Sequence, residues 1–287
     1  MAITKKAYAK VNLGLDVVGT LPNGYHLLRT VMQQINLYDE ITAEKIPEGI
    51  VLESNLSEIP LDETNLAYKG AKAVLDAYGI KGGIRLKIEK RIPAAAGMAG
   101  GSADCATAMH LTNELYHCQA SVEELCSLGV KLGADVPFCI AGGTRLCEGI
   151  GEKMTEVPLK TPIHYVIIKP PEGVSTKYVF EHLSLLDSDH PDTDGIVMDL
   201  QQGEIENMAK KLKNVLATVT EQEKPLLLEL REKLKELGAL GTLMSGSGPT
   251  VFGIFATKTI AKEAAEEMKR CYPDMFSGAF DTVNCEE

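Results

Sequence analysis

The chain has 287 residues, 45% of them hydrophobic, enough to fill the cores of one large domain or two modest ones. A net charge of −11 and a pI near 5.1 argue against nucleic acid or an anionic membrane surface as a partner, since both need a basic footprint, so any anionic ligand must be held by local donors. Cys105, Cys118, Cys126, Cys139, Cys147, Cys271 and Cys285 form no Cys-x-x-Cys pair, and neither a long apolar run nor an apolar signal core follows Met-Ala-Ile-Thr-Lys-Lys; a reduced, cytoplasmic, globular protein without zinc is expected.

From Met1 to Val18 apolar and polar residues alternate loosely, which predicts one or two strands. Lys10 and Asn12 stand two apart in that run, so an ammonium and a carboxamide share one face, either as a solvent-facing strand edge or as a functional pair. Pro22-Asn23-Gly24 is a turn, and Tyr25-His26 directly after it is either an ordinary loop pair or a platform that stacks on and hydrogen-bonds a base. Strands follow at Thr30 to Leu37 and Glu40 to Lys45. A helix is predicted over Thr64 to Tyr78, stopped by Gly79.

A strand from Gly83 to Arg91 leads into Pro93, Ala94, Ala95, Ala96, Gly97, Met98, Ala99, Gly100, Gly101, Ser102 and Ala103, and then into a helix from Asp104 to Tyr116. The first turn of a helix leaves about four amides unpaired and carries about half a positive charge, which suits an anion. Gly97, Gly100 and Gly101 can take positive φ, and Ser102 offers a hydroxyl. The run matches neither Gly-x-Gly-x-x-Gly nor a Walker loop, so any nucleotide is bound in another fold. Ser121-Val122-Glu123-Glu124 is a capping box opening a helix through Leu132. Asp135 is then fixed between Gly133 and Pro137, as a turn cap or as a base.

Strands at Thr144 to Ile150 and His164 to Lys169 precede a Pro-Pro turn, and a domain boundary is expected near residue 160. Leu183 to Asp199 reads as an acidic, solvated connection. Helices follow over Glu204 to Val219 and Glu221 to Leu237, then a second glycine-serine turn at Gly241 to Thr250. An apolar run from Val251 to Phe255, a helix from Thr257 to Arg270 and a strand around Ala279 to Val283 complete a ferredoxin-like α+β order.

Pro93 to Ala103, Met244-Ser-Gly-Ser-Gly248-Pro249-Thr250 and the Lys10 region together resemble the GHMP kinases, a family of small-molecule kinases. Ala9-Lys10-Val11-Asn12-Leu13, Asn23-Gly24-Tyr25-His26, Gly133 to Phe138 and Glu148-Gly149-Ile150-Gly151-Glu152 resemble members acting on an alcohol that carries cytidine diphosphate, in non-mevalonate isoprenoid synthesis; the resemblance spans about residues 7 to 255. It implies two domains, 1–160 with the ribosomal protein S5 domain 2-like fold and 161–287 with a ferredoxin-like fold. It also implies ATP; Mg²⁺ is expected from the need to offset triphosphate charge, with no metal cluster visible in the sequence, and a monomer or homodimer is expected. Residues 93 to 103 would cradle ATP phosphates, Asn65 would line the nucleotide pocket, Asp135 would be the general base and Lys10 would keep it ionised and offset phosphate charge. Asn12, Tyr25 and His26 would contact substrate, with Phe180, or alternatively Tyr178, on the far face of cytosine. Homoserine- or mevalonate-type kinases and a silent binding module are the alternatives. Ser102-Ala103 replaces the frequent serine pair, Met98 the usual leucine, and Cys139 a larger apolar residue.

Overall fold

The computed structural model describes residues 2–22, 26–184 and 189–283. Its elements in order are β1 (Ala2–Thr20), β2 (His26–Ile46), β3 (Ile50–Ser54), α1 (Leu66–Ala77), β4 (Gly83–Glu89), α2 (Gly100–Tyr116), α3 (Val122–Gly129), α4 (Val136–Ala141), β5 (Thr144–Gly149) and β6 (Lys153–Glu156). They continue with β7 (His164–Lys169), α5 (Thr176–Glu181), α6 (Thr193–Gln202), α7 (Ile205–Lys210), β8 (Lys213–Asn214), α8 (Ala217–Glu223), α9 (Leu226–Glu236), β9 (Gly241–Met244), β10 (Val251–Phe255), α10 (Lys258–Cys271) and β11 (Phe276–Asp281). The chain forms two compact units, each built from more than one stretch of sequence: Met1–Ala9, Leu37–Ile92 and Ala99–Gly142 in the first, Lys10–Asn36, Pro93–Met98 and Gly143–Glu287 in the second. No helix among the described residues is long and apolar enough to cross a membrane.

In the first unit β4 pairs antiparallel with the end of β2, Glu40 opposite Glu89 through Ile46 opposite Gly83, and parallel with β3. Ile41, Ala43, Leu86 and Ile88 form a core with Ala67, Ala71, Ala108 and Leu111 from α1 and α2. The two helices pack closely because Gly70 is bare: a Cβ there would stand 2.6 Å from the Cys105 carbonyl oxygen. Ser121 and Glu124 complete the predicted capping box of α3. β2 is one long strand rather than two. Asp39, at the expected break, turns its carboxylate inward to accept the Arg91 and Ile92 amides, so the residue type that suggested a turn serves a buried bond.

In the second unit the start of β2 pairs with β5, and Gly14 and Leu15 of β1 pair with Lys213 and Asn214 of β8. A separate antiparallel sheet has the order β11-β7-β10-β9, the 4-1-3-2 order of a ferredoxin-like sheet. α9 and α10 pack on it, burying Leu227, Leu230, Leu234, Ala261, Ala264 and Met268 against Val166, Ile168 and Phe255. The acidic segment yields a helix, α6, capped by the Asp192 side chain on the Gly195 amide. The helix expected over Glu204 to Val219 is broken by β8, where Asn214 spends its side chain on the Met244 and Gly246 carbonyls and the Leu216 amide, and Pro225 separates α8 from α9.

Candidate active site

In the second unit the i, i+2 spacing of β1 brings Lys10 and Asn12 side by side, and both are buried rather than on a solvent edge. Lys10 Nζ donates to Asn12 Oδ1 at 2.7 Å, Asn12 Nδ2 donates to Thr30 Oγ1 at 2.9 Å, and that hydroxyl donates to the Gly14 carbonyl at 2.6 Å. These bonds fix which way the Asn12 carboxamide is turned and aim its oxygen at the ammonium. The Lys10 amide donates to the Met98 carbonyl at 3.1 Å, which ties β1 to the glycine-rich segment.

That segment is seated by the late glycine-serine turn. Ser245 Oγ donates to the Gly97 carbonyl at 3.0 Å. A Cβ on Gly97, whose φ is +71°, would lie 2.3 Å from the Ser245 carbonyl oxygen, so both the conformation and the close approach require glycine. The turn itself is held by Asn214 and by Thr220, whose hydroxyl donates to the Ser247 carbonyl. His26, first in β2, stacks on Phe180 of α5 with ring centroids 4.8 Å apart and planes 26° apart. Tyr178 instead stacks on His182 and donates its hydroxyl to Glu223. Tyr25 lies outside the described residues.

In the first unit α2 begins at Gly100. Ala99 precedes it in the left-handed conformation, and among the described residues no side chain caps the helix, which leaves its opening amides without a side-chain acceptor. The positive φ values fall at Ala95, Gly97 and Ala99, whereas Gly100 and Gly101 are helical. Gly100 is needed for space instead: its Cβ would stand 3.0 Å from Ile92 and 3.6 Å from Lys90 Nζ. Ser102 is half-buried in the first turn, while Ala103 belongs to the core with Ala67 and Leu111. Met98 is buried, and Cys139 packs against the first unit's core.

Asp135 is the residue before α4, with Pro137 in that helix's first turn; its side chain makes no capping bond while its carbonyl accepts the Cys139 amide. The cap role is thus taken up by backbone alone. A Cβ on Gly133, two residues earlier, would be 3.8 Å from Ser102 Oγ, so the Asp135 segment runs beside the start of α2. Asn65 caps α1 through Oδ1 on the Ala67 amide and donates to the Pro60 carbonyl.

Three further charged residues, which the sequence pattern does not announce, meet beside the start of α2. Lys90 is buried and bonded to Asp39 and to Asp104, the latter at 2.7 Å. Asp39 lies in β2, Lys90 just past the end of β4 and Asp104 in α2, so no local spacing links them.

The GHMP kinases N terminal domain family matches residues 65–143, and the GHMP kinases C terminal family matches residues 197–274. A relative from Clostridium botulinum (strain Eklund 17B) bears the name 4-diphosphocytidyl-2-C-methyl-D-erythritol kinase; it is 47% identical over 272 residues, 94% of this chain and 97% of its own. A solved 4-(cytidine 5'-diphospho)-2C-methyl-D-erythritol kinase superposes with a TM-score of 0.83 at 33% identity, covering 97% of this chain and 99% of its own. A mevalonate kinase from L. major gives a TM-score of 0.78 over 100% of this chain and 98% of its own, but at 16% identity shows the fold alone. With both family domains matched and near-complete relatives of one name, this chain belongs to the GHMP kinases, in the family of the 4-diphosphocytidyl-2-C-methyl-D-erythritol kinases.

Proposed function

We propose that the chain transfers the γ-phosphoryl group of ATP to the 2-hydroxyl of 4-diphosphocytidyl-2-C-methyl-D-erythritol, a step of non-mevalonate isoprenoid precursor synthesis. The observation that carries the reading is the 94% coverage of this chain by relatives of that name, joined to a bare helix start of the kind that seats phosphate. Phosphoryl transfer demands positioning and charge stabilisation more than covalent help from the protein. Residues 93 to 103 wrap the ATP phosphates, with the α2 amides donating to their oxygens. Asp135 accepts the hydroxyl proton as the nucleophile attacks, and Lys10, aimed by Asn12, offsets the charge on the reacting oxygens. Asn12, His26 and Phe180 bind substrate, with Tyr25 completing the cytosine platform; the position of Phe180 beside His26 favours it over Tyr178, which is turned to His182 and Glu223. Asn65, besides capping α1, lines the nucleotide pocket.

Among the described residues no group of three or more His, Cys, Asp or Glu could hold a metal ion. Mg²⁺ would arrive on the triphosphate and neutralise phosphate charge there, with Ser102 and Asp135 as candidate oxygen donors. We assign residues 1–160 and 161–287 as the two family domains, in a cytoplasmic monomer or homodimer. The test is ADP release with ATP and Mg²⁺ in the presence of the cytidyl substrate, homoserine, mevalonate or no acceptor. Release dependent on the cytidyl substrate alone is expected, and chelation of divalent cations should abolish it. Release with another acceptor overturns the specificity, and ATP binding without release under any condition favours a silent binding module.

A further inference from the structure

Asp39 lies within β2 with its side chain fully buried. Its Oδ1 accepts the amides of Arg91 at 2.5 Å and Ile92 at 2.8 Å, the last two residues before Pro93. Its Oδ2 accepts from Lys90 Nζ, which also donates to Asp104 Oδ2, five residues into α2. Ile92 and Lys90 in turn stand directly under Gly100. One ammonium thus joins the point where the β4 side releases the chain to the point where α2 takes it up again.

As a source of stability the arrangement is poor. Two carboxylates face one ammonium in the interior, and Asp104 Oδ1 is buried with no hydrogen-bond partner. Buried ion clusters of this kind are commonly matched or bettered in stability by apolar residues of similar volume. What it does supply is position: both stems of the segment from Pro93 to Ala99 are pinned to the same three side chains. A phosphate seat built from backbone amides must be held to within about half an ångström.

We propose that Asp39, Lys90 and Asp104 are positioning residues that hold the two stems of the phosphate loop at the separation nucleotide binding requires. The inference rests on residues 93 to 103 being the ATP loop. Asp39→Ala releases the Arg91 and Ile92 amides. It should weaken ATP, measured by calorimetry, by about tenfold or more, because the first stem is no longer held to the tolerance a binding site needs, while kcat at saturating ATP and the KM for the cytidyl substrate stay within threefold. Asp39→Asn keeps an oxygen for both amides but turns an NH2 donor toward Lys90, so it should restore ATP affinity only in part. If Asp39→Ala does not fold, Asp104→Leu leaves Lys90 and Asp39 as a neutral pair and should weaken ATP in the same selective way. ATP affinity within threefold of wild type in the folded variants overturns the proposal, as does a parallel fall in kcat and both substrate affinities, which is what general loosening would give. Gly101→Asp separates the two readings. If it leaves ATP affinity unchanged, the loop assignment falls and the cluster's role with it; if it weakens ATP while the Asp39 and Asp104 variants do not, the cluster's role alone falls.

Discussion

Lys10 and Asn12 show how far a single spacing can be trusted. Alternation along β1 put them on one face, and they meet there at 2.7 Å. Alternation cannot say which face is buried, and that is settled by Thr30 from a distant strand, which sequence could not pair with them. Asp135 was legible as a fixed aspartate because glycine and proline bracket it. Asp135→Asn should lower turnover by roughly 10² to 10⁴ with ATP still bound, as loss of a general base does, and single-turnover rates would check it. Phe180→Ala should weaken the cytidyl substrate by about 1 to 3 kcal/mol, the usual worth of a base on an aromatic ring, with kcat little changed. An unchanged KM would remove Phe180 from the platform. The Lys90 cluster was invisible because its members are 14 and 51 residues apart.

Among the elements, regular helices with apolar periodicity and a stop residue were read well: α1 ends next to Gly79, and α3 opens at its capping box. Ser121→Ala should cost about 1 kcal/mol of stability, readable in urea unfolding, because one amide loses its acceptor. The glycines of the loop were expected to share one role and have two. Gly97 supplies a left-handed conformation and room for Ser245, whereas Gly100 is helical and supplies only room for Ile92. Left-handed φ at Ala95 and Ala99 could not be foreseen, since alanine gives no signal for it. Helix breaks at β8 went unread for a related reason: Asn214 leaves the helical pattern to serve carbonyls 30 and 32 residues away.

For the whole molecule, the α+β class and the ferredoxin-like order were legible from the succession of elements, which is a coarse property and survives errors at single boundaries. Stability against pH is less visible from sequence. Burial, opposed by Lys90 and reinforced by Asp39, pushes the Asp104 carboxyl from an ordinary 3.8 up to about 7. The folded state therefore holds this proton more tightly than the unfolded chain. The group's contribution is fully present below about pH 4, is lost as pH rises towards 7, and is flat above. Asp104→Asn should accordingly gain thermal stability over wild type at pH 8, a smaller part of that gain at pH 5, and little or none below pH 4; melting curves at the three values would show it. The assembly of the second unit from distant stretches also bears on synthesis. Leu28 to Gln33 must wait for Thr144 to Gly149, and Gly14 and Leu15 must wait for Lys213 and Asn214. At ribosomal rates those delays are on the order of ten seconds, far longer than local folding takes, so early strands spend that time as open edges on a growing chain.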